Sequence, residues 1–216
     1  MADFGCLRRL PSSMVPANMV ISVATIPPFS LSGVLPPYVG NPTARSQMAP
    51  FSASISDVVD RFGSSQPRLQ LLDGLLRYRQ ALAAIGLVEG LQWLDGSFAE
   101  DIESIEARDP RDIDVVTFFR RPQLVRDHAT WPPFVLANAT LFDPGVVKAM
   151  FHCDAYVVDL DVGNPFSVVE STRYWFGLFS HRRISNLWKG LVQVPLAPSP
   201  ADAHALTLLA QRRIQP

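Results

Sequence analysis

The stretch "LQWLDGSFAEDIESIEARDPRDIDVVTFF", residues 91–119, decides how this 216-residue chain is read. An apolar run ends at Gly96-Ser97, and Asp112-Ile113-Asp114 leads into Val115-Val116-Thr117-Phe118-Phe119. Residues two apart on a strand face the same side, so Asp112 and Asp114 present two carboxylates together while Ile113 and Val115 turn into a core. Two unit charges about 4 Å apart repel by roughly 4 kcal/mol at an effective dielectric near 20. No cation stands two residues away on that strand face, although Arg111 is adjacent in sequence. A divalent ion relieves such a pair, because hard Mg²⁺ takes one or two carboxylates together with phosphate oxygens. Two metals held about 3.5–4 Å apart clamp the attacking and leaving oxygens of a phosphoryl displacement. Gly96 lets the backbone approach a ligand closely, and the Ser97 hydroxyl with nearby N–H groups suits phosphate oxygens. A helix starting after this turn would add its N-terminal end to the anion site.

Outward from this stretch, the flanking patterns alternate between helix and strand. Residues 26–50 hold six prolines and two glycines, which predicts an extended segment laid over a surface. A short helix follows at "SDVVDRFG", with Ser56 as its cap and Gly63 as its stop. Between Pro67 and Gly86, Leu69, Leu72, Leu76, Leu82 and Ile85 fall near helical spacing and predict an amphipathic helix. Residues 88–95 and 112–119 read as strands. "DPGVVKAM" starts a helix at Asp143, and "FHCDAYVVDL" is a third strand. "PFSVVESTRYWFGLFSHRR" reads as a helix with Ser167 as its cap, "WKGLVQVPL" as a further strand, and "SPADAHALTLLAQRRI" as a final helix capped by Ser199. That order fits a single α/β or α+β layered fold.

Composition narrows the class. Hydrophobic residues make up 48% and charged residues 18%, a globular balance, and the net charge of −1 supplies no bulk basic field for nucleic acid. Cys6 and Cys153 lack both disulfide-framework numbers and metal-ligand spacing, which points to a reducing, cytoplasmic setting. No apolar run reaches the roughly 18 residues a membrane helix needs, and the N-terminus lacks a signal-peptide core. Residues 1–25 read as a weakly ordered lead-in with alternative starts at Met14 and Met19.

An apolar strand, Gly-Ser, a spacer and Asp-x-Asp in a second strand resemble the nucleotidyltransferase superfamily related to DNA polymerase β. The wider pattern "IPPFSLSGVLPPYVG", "WLDGSF", "DIDVVTFF", "FHCDAYVVDL" and "YWFGLFSHRR…WKG" resembles a family of small bacterial nucleotidyltransferase-like proteins, from about residue 26 to the C-terminus. The resemblance implies a polymerase-β-like α/β (α+β) fold over residues 26–216, a mixed sheet flanked by helices. It implies Mg²⁺- or Mn²⁺-dependent transfer of NMP from a nucleoside triphosphate to a hydroxyl on protein, tRNA or a small molecule. It also implies a toxin–antitoxin or phage-defence setting with a cognate toxin or antitoxin protein, or else a catalytically silent binding module or nucleotide sensor on the same fold.

The superfamily needs a third carboxylate on a later strand, and Asp154, Asp159 and Asp161 are the candidates. An unpaired carboxylate amid apolar neighbours is costly, which singles out Asp154. The expected site is therefore Asp112, Asp114 and Asp154 for metal and catalysis, with Gly96, Ser97 and Lys189 holding the nucleotide. His181-Arg182-Arg183 with Lys189 form a local positive cluster, suited either to triphosphate or RNA or to a solvated helix end. Arg173 with Tyr174, Trp175, Phe176 and Phe179 reads as a buried helix face ahead of a base-stacking platform. His152 and Cys153 point to opposite faces and read as packing. Fourteen residues separate Ser97 from Asp112, and this acid-rich spacer is expected to disfavour an anionic acceptor unless it swings away.

Overall fold

The computed structural model of this chain describes residues 25–214, so most of the expected lead-in, with Cys6, Met14 and Met19, lies outside the described residues. Residues 26–50 hold no α-helix, as their prolines require; one 3-10 turn at Arg45–Gln47 interrupts them. Ile26, Val34 and Leu35 are buried, and the Gly190 N–H donates to the Leu35 carbonyl. The segment is thus laid across the body of the fold.

The elements then follow as β1 (Phe51–Ser52), α1 (Ile55–Phe62), α2 (Gln66–Ala84), β2 (Gly90–Asp95), α3 (Ile102–Glu106) and β3 (Ile113–Phe119). After them come α4 (Trp131–Ala137), α5 (Ala139–Phe142), α6 (Pro144–Phe151), β4 (Cys153–Asp159), α7 (Pro165–Phe179), β5 (Val192–Pro195) and α8 (Pro200–Ile214). The sheet order is β1-β5-β2-β3-β4. β2 runs antiparallel to β3 and β5, while β3 pairs with β4, and β1 with β5, in parallel. The architecture is mixed α/β, a five-stranded mixed sheet flanked by helices. Among the described residues no helix is long and apolar enough to cross a membrane.

Two caps differ from expectation. Ser54, not Ser56, caps α1, because Asp57 answers it: the Asp57 N–H donates to the Ser54 hydroxyl while the Ser54 N–H donates to the Asp57 carboxylate. Asn164, not Ser167, caps α7, accepting from the Phe166 N–H. Asp143 caps α6 as expected, accepting from the Val146 N–H at 3.0 Å. The short helices α3, α4 and α5 fall where no strong periodicity announced them.

The two faces of the sheet are covered unequally. On one face, Leu94, Ile113, Val115, Ala155, Val192 and Val194 pack with the buried sides of α1, α2, α6 and α8. Within this core Arg79 donates to Gln92 at 2.8 Å and to Asp202 at 2.8 Å, and Gln92 donates to Thr117 at 3.0 Å. These bonds tie α2, β2, β3 and α8 together with their polar groups satisfied. Gly74 is required here, since a Cβ on it would stand 1.9 Å from the Phe151 carbonyl oxygen. That close approach seats the end of α6 against α2. The opposite face buries Trp93, Val116, Phe118 and Val158 beneath α7, of which Phe179 alone is fully buried. Asp114 and Asp154 belong to this second, thinly covered face, by alternation with Val115 and Ala155.

Candidate active site

β2 ends where β3 and β4 begin, so one end of the sheet collects three acids in a row. Asp95 stands opposite Asp114 across the β2/β3 pair, and Asp114 opposite Asp154 across β3/β4. Directly opposed residues share a face, which brings these side chains together. Asp112 immediately precedes β3. A single residue, His152, joins α6 to β4 with φ of 55°, and its carbonyl accepts from the Ile113 N–H at 3.0 Å. This tight junction holds Asp154 level with Asp114, near the start of β4.

Gly96 turns the chain out of β2 with φ of 83° and ψ of −167°, a region essentially reserved for glycine. A Cβ there would lie 2.9 Å from Asp114 Oδ2, so the missing side chain is what lets the turn sit against the carboxylate. Ser97 opens a 3-10 turn, Ser97–Ala99, and lines a cleft of about 280 Å³ together with Asp95, Asp112, Asp114 and Asp154. The element after the turn is a three-residue 3-10 turn, so the condition for a helix end to join the anion site is not met there.

Two lysines bracket the acids. Lys148, from α6, pairs with Asp112 at 2.6 Å and Asp154 at 3.4 Å. Lys189 is 3% exposed and pairs with Asp95 at 3.0 Å and Glu100 at 2.8 Å. Its contact with Asp95 Oδ1 is one of charge without an aligned hydrogen bond. Arg182 joins the same group, meeting Glu100 at 2.9 Å and also Glu106.

The electrostatics follow from this arrangement. Burial pushes the Asp95 carboxyl up to about 7, because Lys189 is shared with Glu100 and compensates it only in part. Burial works against the Lys189 charge, yet Asp95 and Glu100 outweigh it and hold the ammonium above its ordinary range. Asp114 is raised to about 6, first by burial and then by the repulsion of Asp112 and Asp154. Lys148 is raised chiefly by its bond to Asp112.

The donor set of Asp112, Asp114 and Asp154 is all hard oxygen, which suits Mg²⁺ or Mn²⁺. The upward push on Asp114 comes first from burial, to which the crowding of Asp112 and Asp154 adds. A cation is already drawn to this point, since the Lys148 ammonium lies between Asp112 and Asp154. Among the described residues no group of three or more His, Cys, Asp or Glu stands arranged to hold an ion. The residue chemistry fits a divalent ion on condition that Lys148 gives way and the three carboxylates draw together.

Several sequence expectations change here. Lys189 lies at the cleft wall with its ammonium engaged by Asp95 and Glu100 and 3.4 Å from the Gly96 carbonyl. The spacer does not stand as a free acidic loop: Glu100 is paired with Lys189 and Arg182, Glu106 with Arg182, and Glu103 with Arg68 at 2.5 Å. Of the cluster at 181–183, Arg182 is spent on these acids, whereas Arg183 is exposed and has no ion-pair partner among the described residues. Asp159 and Asp161, the alternative third acids, stand at the far end of β4, paired with Arg121 and Arg120 at 2.7 Å each. Cys153 is buried, with its thiol pushed up by burial, while His152 is exposed. The expected buried face of α7 is instead half open, with Tyr174 57% exposed.

Three members of the site carried no recognised signal. Lys148 lies six residues before Asp154, in a helix whose last turn must face the strand it feeds, and that spacing was the available clue. Asp95, directly before Gly96, and Glu100, inside the spacer, acquire partners only through contacts with Lys189 and, for Glu100, Arg182, more than eighty residues away.

No curated protein and no solved structure matches the chain. Residues 27–195, a span that contains every candidate site residue, match a family described as "Family of unknown function (DUF6932)", and the chain belongs to that family.

Proposed function

We propose that the chain is a metal-dependent nucleotidyltransferase of polymerase-β-like fold, transferring NMP from a nucleoside triphosphate to a hydroxyl acceptor. What carries the reading is the register that aligns Asp114 with the Gly96 turn on one side and with Asp154 on the other. Asp112, Asp114 and Asp154 would hold Mg²⁺ or Mn²⁺, which when bound supplies charge neutralisation to the phosphoryl oxygens. Gly96 and Ser97 receive the terminal phosphates through backbone and hydroxyl. Lys189 keeps that loop in place through Asp95 and Glu100. Asp154, on the side of Asp114 away from Gly96, takes the proton of the acceptor hydroxyl. The acceptor oxygen bonds to the α-phosphorus as its bond to the leaving pyrophosphate breaks. Positioning and preset charge do most of this work.

The test is incubation with each labelled nucleoside triphosphate, Mg²⁺ or Mn²⁺ and total cell lysate, comparing the parent with an Asp112→Asn/Asp114→Asn double variant. Label entering protein, RNA or a small molecule with the parent alone is the expected result. Equal transfer by the double variant would sink the assignment. A second reading, a catalytically silent module that binds nucleotide or a cognate toxin or antitoxin protein, is favoured by Lys148 already neutralising Asp112 and Asp154. No transfer from any triphosphate, together with retained nucleotide or protein binding, selects it.

A further inference from the structure

A second cleft opens on the far side of the acid row from Gly96-Ser97. It encloses about 420 Å³ between β4 and α7, within the range of small-ligand sites, and Asp114 and Asp154 form part of its wall. Asp154 and Tyr156 are two apart on β4 and share a face, so the strand that delivers the acid also delivers a ring beside it. Tyr156 and Trp175 have ring centroids 4.6 Å apart, and Tyr174 meets Trp175 edge-on at 4.9 Å. Tyr174 remains largely open to solvent, and Arg183 lines both this cleft and the acid cleft.

We infer that the trough formed by Tyr156, Tyr174 and Trp175 seats a nucleobase whose ribose hydroxyl is thereby presented to Asp154. Aromatic walls accept any base through its π-face. The ribose lies between base and phosphate, so a base on this shelf brings a sugar hydroxyl toward the carboxylates and a phosphate toward Arg183. The inference rests on the nucleotidyltransferase reading for its direction, with donor phosphates at Gly96-Ser97 and acceptor at the trough. It makes the acceptor a nucleoside end, supplied either by a free nucleotide or by the 3′ end of a single-stranded RNA.

Binding is measured in chelator, so that it is independent of transfer. Adenosine, uridine, AMP, a short single-stranded RNA with a free 3′-hydroxyl and a tyrosine-containing peptide are titrated against the tryptophan fluorescence of the whole chain, with affinities confirmed by calorimetry. Nucleobase ligands should quench the fluorescence. Trp175→Phe should remove most of the quench while leaving calorimetric binding in place. Tyr174→Ala should weaken binding roughly five- to a hundredfold, and Tyr174→Phe should retain it. Because Tyr174 is exposed, an unchanged urea midpoint shows that the fold survives the substitution. Binding by nucleosides and AMP assigns the seat to a free nucleotide; binding by RNA alone assigns it to an RNA end. No binding by any base, binding indifferent to Tyr174→Ala, or capture of the peptide alone overturns the inference. Should Asp112→Asn/Asp114→Asn leave transfer intact while Tyr174 still governs base binding, the seat stands and the catalytic reading falls; the reverse pattern separates them the other way.

Discussion

Lys189 and Lys148 perform the same electrostatic act on opposite flanks of Asp114, and their surroundings give it different meanings. Each ammonium joins two carboxylates, Asp95 and Glu100 in one case, Asp112 and Asp154 in the other. The Lys189 side chain is 3% exposed and that of Lys148 is 48% exposed. A buried charge cannot leave without stranding its partners, so Lys189 is part of the frame. An ammonium half in water gives up little on leaving, so Lys148 is an exchangeable counter-ion at the point where a divalent ion or a phosphate would arrive. Burial, more than pairing, separates scaffold from site.

The largest expected effect tests the buried side. Lys189→Met leaves Asp95 and Glu100 without their shared cation and should cost about 3–5 kcal/mol in urea unfolding. A loss below about 1 kcal/mol would erase the contrast between the two lysines. Next comes the acid between them. In chelator the folded Asp114 titrates near 6, above its ordinary 3.8, so the folded chain holds that proton longer than the unfolded one. Stability from this group is fully present below pH about 4 and is lost as pH rises through about 6. Asp114→Asn should therefore match the parent near pH 4 and exceed it by up to about 3 kcal/mol above pH 6, read as the pH dependence of the unfolding midpoint. Adding Mg²⁺ at pH 7 should stabilise the parent and not the variant.

Gly96 touches both halves, its carbonyl 3.4 Å from Lys189 Nζ and its Cα beside Asp114. Gly96→Ala should cost about 1–3 kcal/mol in thermal unfolding and diminish nucleotide binding by displacing the turn. The smallest stability effect belongs to Lys148→Met, within about 1 kcal/mol. The same substitution should tighten Mn²⁺ binding measured by electron paramagnetic resonance without nucleotide. Weaker Mn²⁺ binding would mean that Lys148 helps to build the metal site, and the proposed exchange would fail.

Sequence carried the parts of this picture that depend on local periodicity. The two-residue repeat put Asp112 and Asp114 on one side, and Asp154 does stand beside them, but the burial cost that singled it out does not hold. Its side chain is 26% exposed at the start of β4, against 20% for Asp159 and 13% for Asp161. It is the ion pairs with Arg121 and Arg120 at the other end of β4 that set those two apart. Tertiary pairing was not legible. The acids of the spacer looked like a repulsive loop because Arg68, Arg182 and Lys189, which neutralise them, lie 35 to 89 residues away. Lys148 reaches the site from α6, and spacing along β3 carries no trace of it. The open face of α7 was not legible for a related reason: its apolar residues suggest burial, but no element among the described residues covers Tyr174.

The pairing of Asp95, Asp114 and Asp154 across three strands has a consequence for how this site tolerates change. The acid-to-acid geometry is written in the hydrogen-bond ladder, which a one-residue slip would destroy by turning every side chain to the other face. The chain between Ser97 and Asp112 is anchored in its first part by Glu100, Glu103 and Glu106 and then only has to return to the sheet. Loop closure grows costlier only slowly with length, so beyond Glu106, where the anchoring ion pairs of the spacer end, the turn at residues 107–109 can lengthen or shorten while the acids keep their places. Distant relatives of this site are better sought by strand register than by counting residues between motifs.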